Sequence, residues 1–364
     1  MINILTVVGA RPQFIKAAAI SHVIRGKYAD TITEDILHTG QHYDDNMSGH
    51  FFTELDIPQP KYNLDVGSSS HGAQTAAMLK GIEEILLSTH YDGMIVYGDT
   101  NSTLAGALAA SKQHLPVYHI EAGLRSFNRS MPEEINRIVT DHLSTLLFAP
   151  TQTAAQNLRN EGFVEEQIIL SGDIMLDNLL HYAPIAIQKS QPPTLNSQFI
   201  LATVHRDFNT DQPVRLKNIL SALNTIGETF HTEVLFPVHP RTMQQIDSMD
   251  SKPCVDRIRM THPLSYFETL AVLSQARLVL TDSGGLQKEA YFSSKPCVIL
   301  RPETEWTEIV KAGAALLTDD TPEHIVNATK KMWDRKLTIP SAFGDGHAAE
   351  KIVKKIFTQH TDKQ

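Results

Sequence analysis

Short apolar runs alternate with helix-period segments almost from one end of this chain to the other, and that alternation limits its fold more than any other feature. The runs "INILTVV" (2–8), "GMIVYGD" (93–99), "PVYHIEAG" (116–123) and "LLFAPT" (146–151) are largely apolar and rich in Val, Ile, Leu and aromatics. They predict strands buried on both faces. Between them, "PQFIKAAAISHVIR" (12–25), "TLAGALAASKQH" (103–114) and "PEEINRIVTDHL" (132–143) have the length and period of helices. Strand–helix–strand alternation implies βαβ units and a parallel sheet covered by helices. The pattern breaks at "PIAIQKSQPPTLNSQ" (184–198), whose Pro, Gln and Ser predict a surface connection early in a second half. It resumes with "FILATVHR", "EVLFPVHP", "ARLVLTDSGG" and "KPCVILRPE" as strand candidates.

The expected fold class is therefore α/β, two doubly wound Rossmann-like domains facing each other across a cleft. Residues 1–173 and 174–345 are the expected domains. Ligands of such folds bind beyond the carboxyl ends of the strands. Gly9-Ala10-Arg11, Gly98-Asp99, Glu121, His205, His239 and Ser283-Gly284-Gly285 all fall at those ends.

Composition narrows the function classes. The 364 residues are 41% hydrophobic and 20% charged, enough apolar content for a sizeable core. With a net charge of -9 and no lysine- or arginine-rich block, no nucleic-acid or anionic-membrane surface is expected. Cys254 and Cys297 are far apart and fit no metal spacing, which suits a reducing compartment. "INILTVVGARP" is too short an apolar run for a signal sequence, so the cytoplasm is the expected location.

Several segments carry candidate chemistry. "VVGARPQFIK" leads from a strand through a small-residue turn into a helix, where Arg11 and the helix N-terminus favour phosphate; a plain turn with a solvated arginine fits equally. It is not a GxGxxG fingerprint, so no NAD site is expected. In "DSGGLQKEA", Ser283, Gly284 and Gly285 open a helix in the manner of an anion site, with Glu289 one turn further along, reachable by a ribose hydroxyl. The plainer role there is an N-cap by Asp282 or Ser283. Asp99 follows a strand and precedes a helix, where capping is again the plain role. Glu121 follows a strand and precedes a glycine, where no cap is needed.

In "HIEAGLRSFNRSMPEEINR", Ser130 and Glu133 fit a capping box, and Glu133 stands four residues before Arg137 in the favourable order for an ion pair. Number argues for more than capping. Asp99, Glu121 and Glu133 clustered on one cleft would raise one another's proton affinity, as proton transfer near neutral pH requires. His205 and His239 end successive strands of the second half, each beside an arginine (Arg206, Arg241), as an anion-facing pair would. No HxxxH or HxH spacing points to a metal.

The ordered set "GARPQFIK", "HTGQHYD", "GDTNSTLA", "HIEAGLRS", "MPEEINR", "TVHR", "PVHPRT", "LTDSGG", "QKEA" and "FGDG" resembles the non-hydrolysing UDP-N-acetylglucosamine 2-epimerase family over nearly the whole chain. The resemblance implies a glycosyltransferase-B-like fold, with the C-terminal helix (346–364) packed back on the first domain. It implies a homodimer acting on a UDP-sugar for cell-surface polysaccharide synthesis, without NAD, metal or other cofactor. A base would take the proton from the second sugar carbon as UDP leaves the first, giving a 2-acetamidoglucal that accepts UDP and a proton on the opposite face. Asp99, Glu121 and Glu133 match the acid/base positions, Arg137 a residue ordering them, and His205 one assisting the departing diphosphate. Arg11, Lys16, His239, Ser283, Gly284, Gly285 and Glu289 match UDP-sugar-binding positions.

Three departures stand out. Trp306 in "ETEWTE" replaces an arginine of the family's "TERPE", Phe208 replaces a common glutamate, and "HGAQTAAML" lacks an arginine that some members use to bind a second, activating UDP-GlcNAc. "GARPQFIKAA", "HTGQHYD" and "ETEW" are most similar to the subgroup acting on UDP-2,3-diacetamido-2,3-dideoxyglucuronate.

Overall fold

A computed structural model describes residues 1–40, 52–190, 198–249, 253–338 and 341–361. The chain divides into two compact units, Met1–Asn178 with Ser341–Gln364, and Leu179–Pro340.

The first unit is built on a parallel sheet of β1 (Ile2–Val8), β2 (Ile32–His38), β3 (Tyr62–Asn63), β4 (Gly93–Tyr97), β5 (Val117–Ile120), β6 (Leu146–Ala149) and β7 (Ile168–Leu170). Their order is β3-β2-β1-β4-β5-β6-β7. Every residue of β4, β5 and β6 is buried, as apolar runs covered on both faces require. Thr6 of β1 pairs with Ile95 of β4, and the chain direction of the winding reverses between these two strands. Their carboxyl ends therefore flank a switch point, where two loops part and leave a crevice. The predicted helix over 132–143 is found as Pro132–Leu143.

The second unit repeats the plan with β8 (Phe199–Thr203), β9 (Glu233–Pro237), β10 (Ile258–Thr261), β11 (Leu278–Thr281), β12 (Cys297–Ile299) and β13 (Ala315–Leu317). The order is β10-β9-β8-β11-β12-β13, all parallel, with Thr203 of β8 paired to Thr281 of β11 at the switch point. One core cluster joins Ile200, Leu220, Phe236, Leu280, Val298, Ile325 and Met332 between one sheet face and two helices. Burying such side chains contributes about 1.5–3 kcal/mol each.

One local expectation changes. The segment from Pro184 was expected to be a surface connection, but the helix Ile174–Lys189 runs through Pro184. Leu179, Tyr182 and Ala186 form a buried stripe along it, and that burial outweighs one lost backbone hydrogen bond. The rest of the segment, 191–197, lies outside the described residues, as do 41–44 of "HTGQHYD".

The C-terminal helix Ala348–Thr361 lies against the helix Arg11–Lys27. Lys27 Nζ reaches Glu350 Oε1 at 2.5 Å, and Tyr118 Oη meets His360 Nε2 at 2.7 Å. Asp177 accepts hydrogen bonds from the Ala348 and Ala349 amides at the start of that helix (3.1 and 2.8 Å). Among the described residues no helix is long and apolar enough to cross a membrane.

Candidate functional site

In the first unit the residues after β1 and β4 are tied together by a side chain that spacing did not single out. Gln13 is buried in the first turn of the helix Arg11–Lys27. Its Oε1 accepts from the Gly9 and Ala10 amides (2.8 and 3.1 Å), while Nε2 donates to Tyr97 O, Thr100 Oγ1 and Thr103 Oγ1 (2.9, 3.0 and 2.9 Å). One amide thus fixes both loops at the switch point. The available signal was a Gln at the third helical position, which commonly reaches back to the cap. Arg11 is the first residue of that helix and is half-buried.

Asp99 is not the cap of the following helix. Thr100 takes that role, accepting from Thr103 N. The Asp99 carboxylate is turned instead to Arg137, whose Nη2 and Nε donate to Oδ2 at 2.6 and 3.0 Å. Arg137 is buried and also donates from Nη1 to Glu134 Oε2 at 2.7 Å. Glu134 in turn accepts from the Ser126 and Phe127 amides (2.9 and 2.8 Å). Burial pushes the Glu134 carboxyl up, but the Ser126 N–H, the Arg137 guanidinium and the Phe127 N–H outweigh it and hold it below its ordinary range. Asn136 completes the frame by donating to Asp99 O and Asn101 Oδ1 (2.9 and 3.2 Å).

Glu121 stands at the end of β5 with φ +72°, a left-handed conformation that costs a non-glycine residue about 1–2 kcal/mol. Its Oε2 lies 2.8 Å from Lys16 Nζ. A Cβ built on Gly98, whose φ is +62°, would lie 3.1 Å from Lys16 Nζ and 3.8 Å from Glu121 Oε1. Lys16, the Gly98 turn and Glu121 therefore share one small volume, beside Asp99. Behind them His119 is fully buried, with Nδ1 2.7 Å from Asp141 Oδ1 and Nε2 2.8 Å from Gly98 O. Asp141 also accepts from Gly123 N and pairs with Arg125. Burial pushes the Asp141 carboxyl up, but the His119 hydrogen bond and the neighbouring His119 and Arg125 charges hold it below the usual range. This chain of contacts fixes the Gly98 carbonyl and so the direction in which Asp99 leaves its strand.

The expected Ser130 cap is not formed. The helix begins at Pro132 after Met131, and Ser130 Oγ donates to Asn128 Oδ1 at 2.6 Å, closing a local turn. Glu133 is half-buried in the first turn of that helix, where a carboxylate favours the N-terminal end of the dipole.

The second unit offers groups suited to an anion. Asp282, fully buried at the end of β11, accepts from His205 N, Arg206 N and Asn209 Nδ2 (3.1, 3.0 and 3.0 Å). It fixes the backbone that carries the His205 ring, whose side chain is 50% exposed with Nδ1 3.4 Å from Asp282 Oδ1. His239 caps the helix Pro240–Asp247, Nδ1 accepting from Arg241 N at 3.3 Å. Arg241 is engaged by Asp207 and Asp211. Those acids offset its charge in this structure. Ser283 caps the helix Gly284–Phe292 through Leu286 N, leaving the Gly284 and Gly285 amides at its first two positions. Glu289 is buried on that helix. Phe208 lies under the Arg215 guanidinium, 4.8 Å from the ring centroid, and Trp306 is buried with Lys288 Nζ 3.9 Å from its ring. Among the described residues no group of three or more His, Cys, Asp or Glu side chains is placed to hold a metal ion.

Comparison with known proteins bears on these sites. Residues 26–357 match the family described as UDP-N-acetylglucosamine 2-epimerase. The chain is 47% identical to the UDP-2,3-diacetamido-2,3-dideoxy-D-glucuronate 2-epimerase of Pseudomonas aeruginosa over 357 residues, covering 97% of this chain and 98% of that one. It is equally 47% identical to a UDP-N-acetylglucosamine 2-epimerase homolog of Methanococcus maripaludis, with 97% and 98% covered. The crystal structure of the Methanocaldococcus jannaschii UDP-GlcNAc 2-epimerase in complex with UDP-GlcNAc and UDP superposes with a TM-score of 0.91 at 41% identity, covering 98% of this chain and all of that one. The likeness runs through both units, so the class of two Rossmann-like domains holds.

Proposed function

Because the chain belongs to the UDP-N-acetylglucosamine 2-epimerase family, we propose that it interconverts UDP-GlcNAc and UDP-ManNAc without hydrolysis. A carboxylate takes the proton from the second sugar carbon, the bond from the first carbon to the diphosphate breaks, and a 2-acetamidoglucal and UDP result. UDP then re-adds at the first carbon while the second carbon is protonated on its other face. Asp99, Glu121 and Glu133 share the acid and base work. The observation that carries this reading is the grouping of Glu121 with Lys16 and of Asp99 with Arg137 at the adjacent carboxyl ends of β4 and β5. A weakly acidic C–H needs a positioned base, and cations nearby can stabilise charge developing on substrate oxygens. In the second unit the Ser283-Gly284-Gly285 helix start supplies N–H groups suited to the diphosphate. His205 assists its departure, and Arg11, His239 and Glu289 complete the UDP-sugar contacts. The reaction is redox-neutral and needs neither NAD nor a metal. A cytoplasmic homodimer serving polysaccharide synthesis belongs to the same proposal.

A second substrate is favoured by one observation, the 47% identity to the diacetamido-glucuronate enzyme. Purified protein incubated in deuterated water with each UDP-sugar separates the readings. Deuterium at the second carbon of UDP-GlcNAc supports the first, and incorporation into the diacetamido-glucuronate alone supports the second. Incorporation into neither refutes both. Release of free sugar would indicate a hydrolysing epimerase, and transfer to an acceptor without exchange a glycosyltransferase.

A further inference from the structure

The start of the helix Gly284–Phe292 already has an anion of the protein's own beside it. A Cβ built on Gly284 would lie 2.8 Å from Glu305 Oε1 and 3.4 Å from Trp306 Nε1, so the glycine is needed for these side chains to approach. Gly284 has no left-handed φ to explain it otherwise. Gly285 is different. Only Ser283 Oγ, at 3.9 Å, among the side chains and neighbouring elements described comes within 4 Å of a Cβ built there, so the space on its Cβ side is open.

The Glu305 carboxylate, 8% exposed, is backed by Arg301, 4% exposed, with Nη1 at 3.1 Å from Oε2. This buried pair is poorly satisfied. Arg301 Nη1 and Glu305 Oε2 attract each other as an ion pair, but neither meets hydrogen-bond geometry with any partner. Gln287 Nε2, Thr307 Oγ1 and Glu308 Oε1 are buried without a hydrogen bond. Gln287 joins the same wall, its Oε1 accepting from Thr304 at 2.8 Å. Buried polar atoms are normally partnered, and an arginine fork in particular matches the oxygens of a carboxylate or phosphate. Three buried polar atoms without a hydrogen bond, on Gln287, Thr307 and Glu308, flank in sequence an ion pair that misses hydrogen-bond geometry beside a glycine helix start, a concentration that internal packing does not explain.

We infer that Glu305 and Arg301 form an exchangeable anion site, in which Glu305 competes with a phosphate group for the Gly284 end of the helix and Arg301 is a further phosphate-binding residue. Two anions at one helix start repel each other. A phosphate seated on the Gly284 and Gly285 amides drives the Glu305 carboxylate aside, and the Arg301 Nη1 released from it turns to the phosphate oxygens. The inference rests on the proposed UDP-sugar reading of this helix start and adds what controls it. Glu305 sets how tightly the diphosphate is held, which matters for a UDP that must be retained through one step and released after another.

Calorimetric titration of the full-length chain with UDP tests this. Glu305→Gln should bind UDP about tenfold tighter than the wild type, since the competing charge is gone. Arg301→Lys should bind it about tenfold more weakly, since the fork is lost. Adding Glu305→Gln to Arg301→Lys should recover much less than tenfold, because the gain works through the freed arginine. If Glu305→Gln does not fold, Glu305→Asp, which keeps the charge but draws it back from Gly284, should tighten binding about threefold. A wild type that binds UDP while the Glu305 variants bind it no tighter overturns the inference and leaves the proposed function standing. A wild type that does not bind UDP overturns both.

Discussion

The Lys16 ammonium stands 2.8 Å from the Glu121 carboxylate, and each side chain is only 10% exposed. A pair so far from water is stabilised strongly by its own attraction, and removing one member takes that attraction from a charge that stays buried. Lys16→Met should therefore lower unfolding free energy by about 3 kcal/mol in chemical denaturation. The Lys16→Met/Glu121→Gln double variant should regain most of that stability. Both variants should lack deuterium exchange, which separates the stability role of the pair from its part in the chemistry.

Arg137 reaches Asp99 through two nitrogens and Glu134 through a third. A lysine keeps the charge but cannot fork. Arg137→Lys should slow exchange by about 10–100-fold, the value of one or two charge-assisted hydrogen bonds. Circular dichroism should show the fold intact.

Asp177 gives the protein an acid-side stability slope. Burial is the main influence and raises its carboxyl from 3.8 to about 6, although the Ala349 and Ala348 amides oppose the rise and nearby Asp173 adds to it. Between those values the folded chain holds a proton that the unfolded chain has released. The stabilisation is complete below about pH 3.8 and is lost as pH rises through about 6. Its size is roughly 2–3 kcal/mol. Thermal or urea unfolding from pH 4 to 7 should show this contribution, and Asp177→Asn should remove it.

The two cysteines should differ in reactivity. Cys254 is exposed, while Cys297 is buried within β12, and burial pushes its thiol well above the ordinary range. One equivalent of a thiol reagent should label the native protein at Cys254. The second should react only in denaturant, and mass spectrometry of peptides locates both.

Local sequence carried much of the architecture. An apolar run of five to seven residues followed by a turn can bury itself as a strand without information from elsewhere, so β1, β4 and the helix Pro132–Leu143 were legible from composition and period. Small residues at strand ends marked the turns of both switch points for the same reason. Pro184 misled because its local preference was outweighed by burial of Leu179, Tyr182 and Ala186, a contact property that no window of sequence contains.

What the sequence by itself determined was which segments become strands and helices and which loops carry charged or small residues, because these follow from backbone preference and hydrophobic period. Only the tertiary structure decided the partners. Spacing offered Ser130 as a cap and Asp99 as another, yet Ser130 turns to Asn128, and Asp99 to an arginine 38 positions away. Gln13, Glu134 and His119 emerge as the residues holding these loops only once β1, β4 and β5 lie side by side. A buried charge or amide must find its partner wherever strand order places one, and that order is a property of the folded sheet.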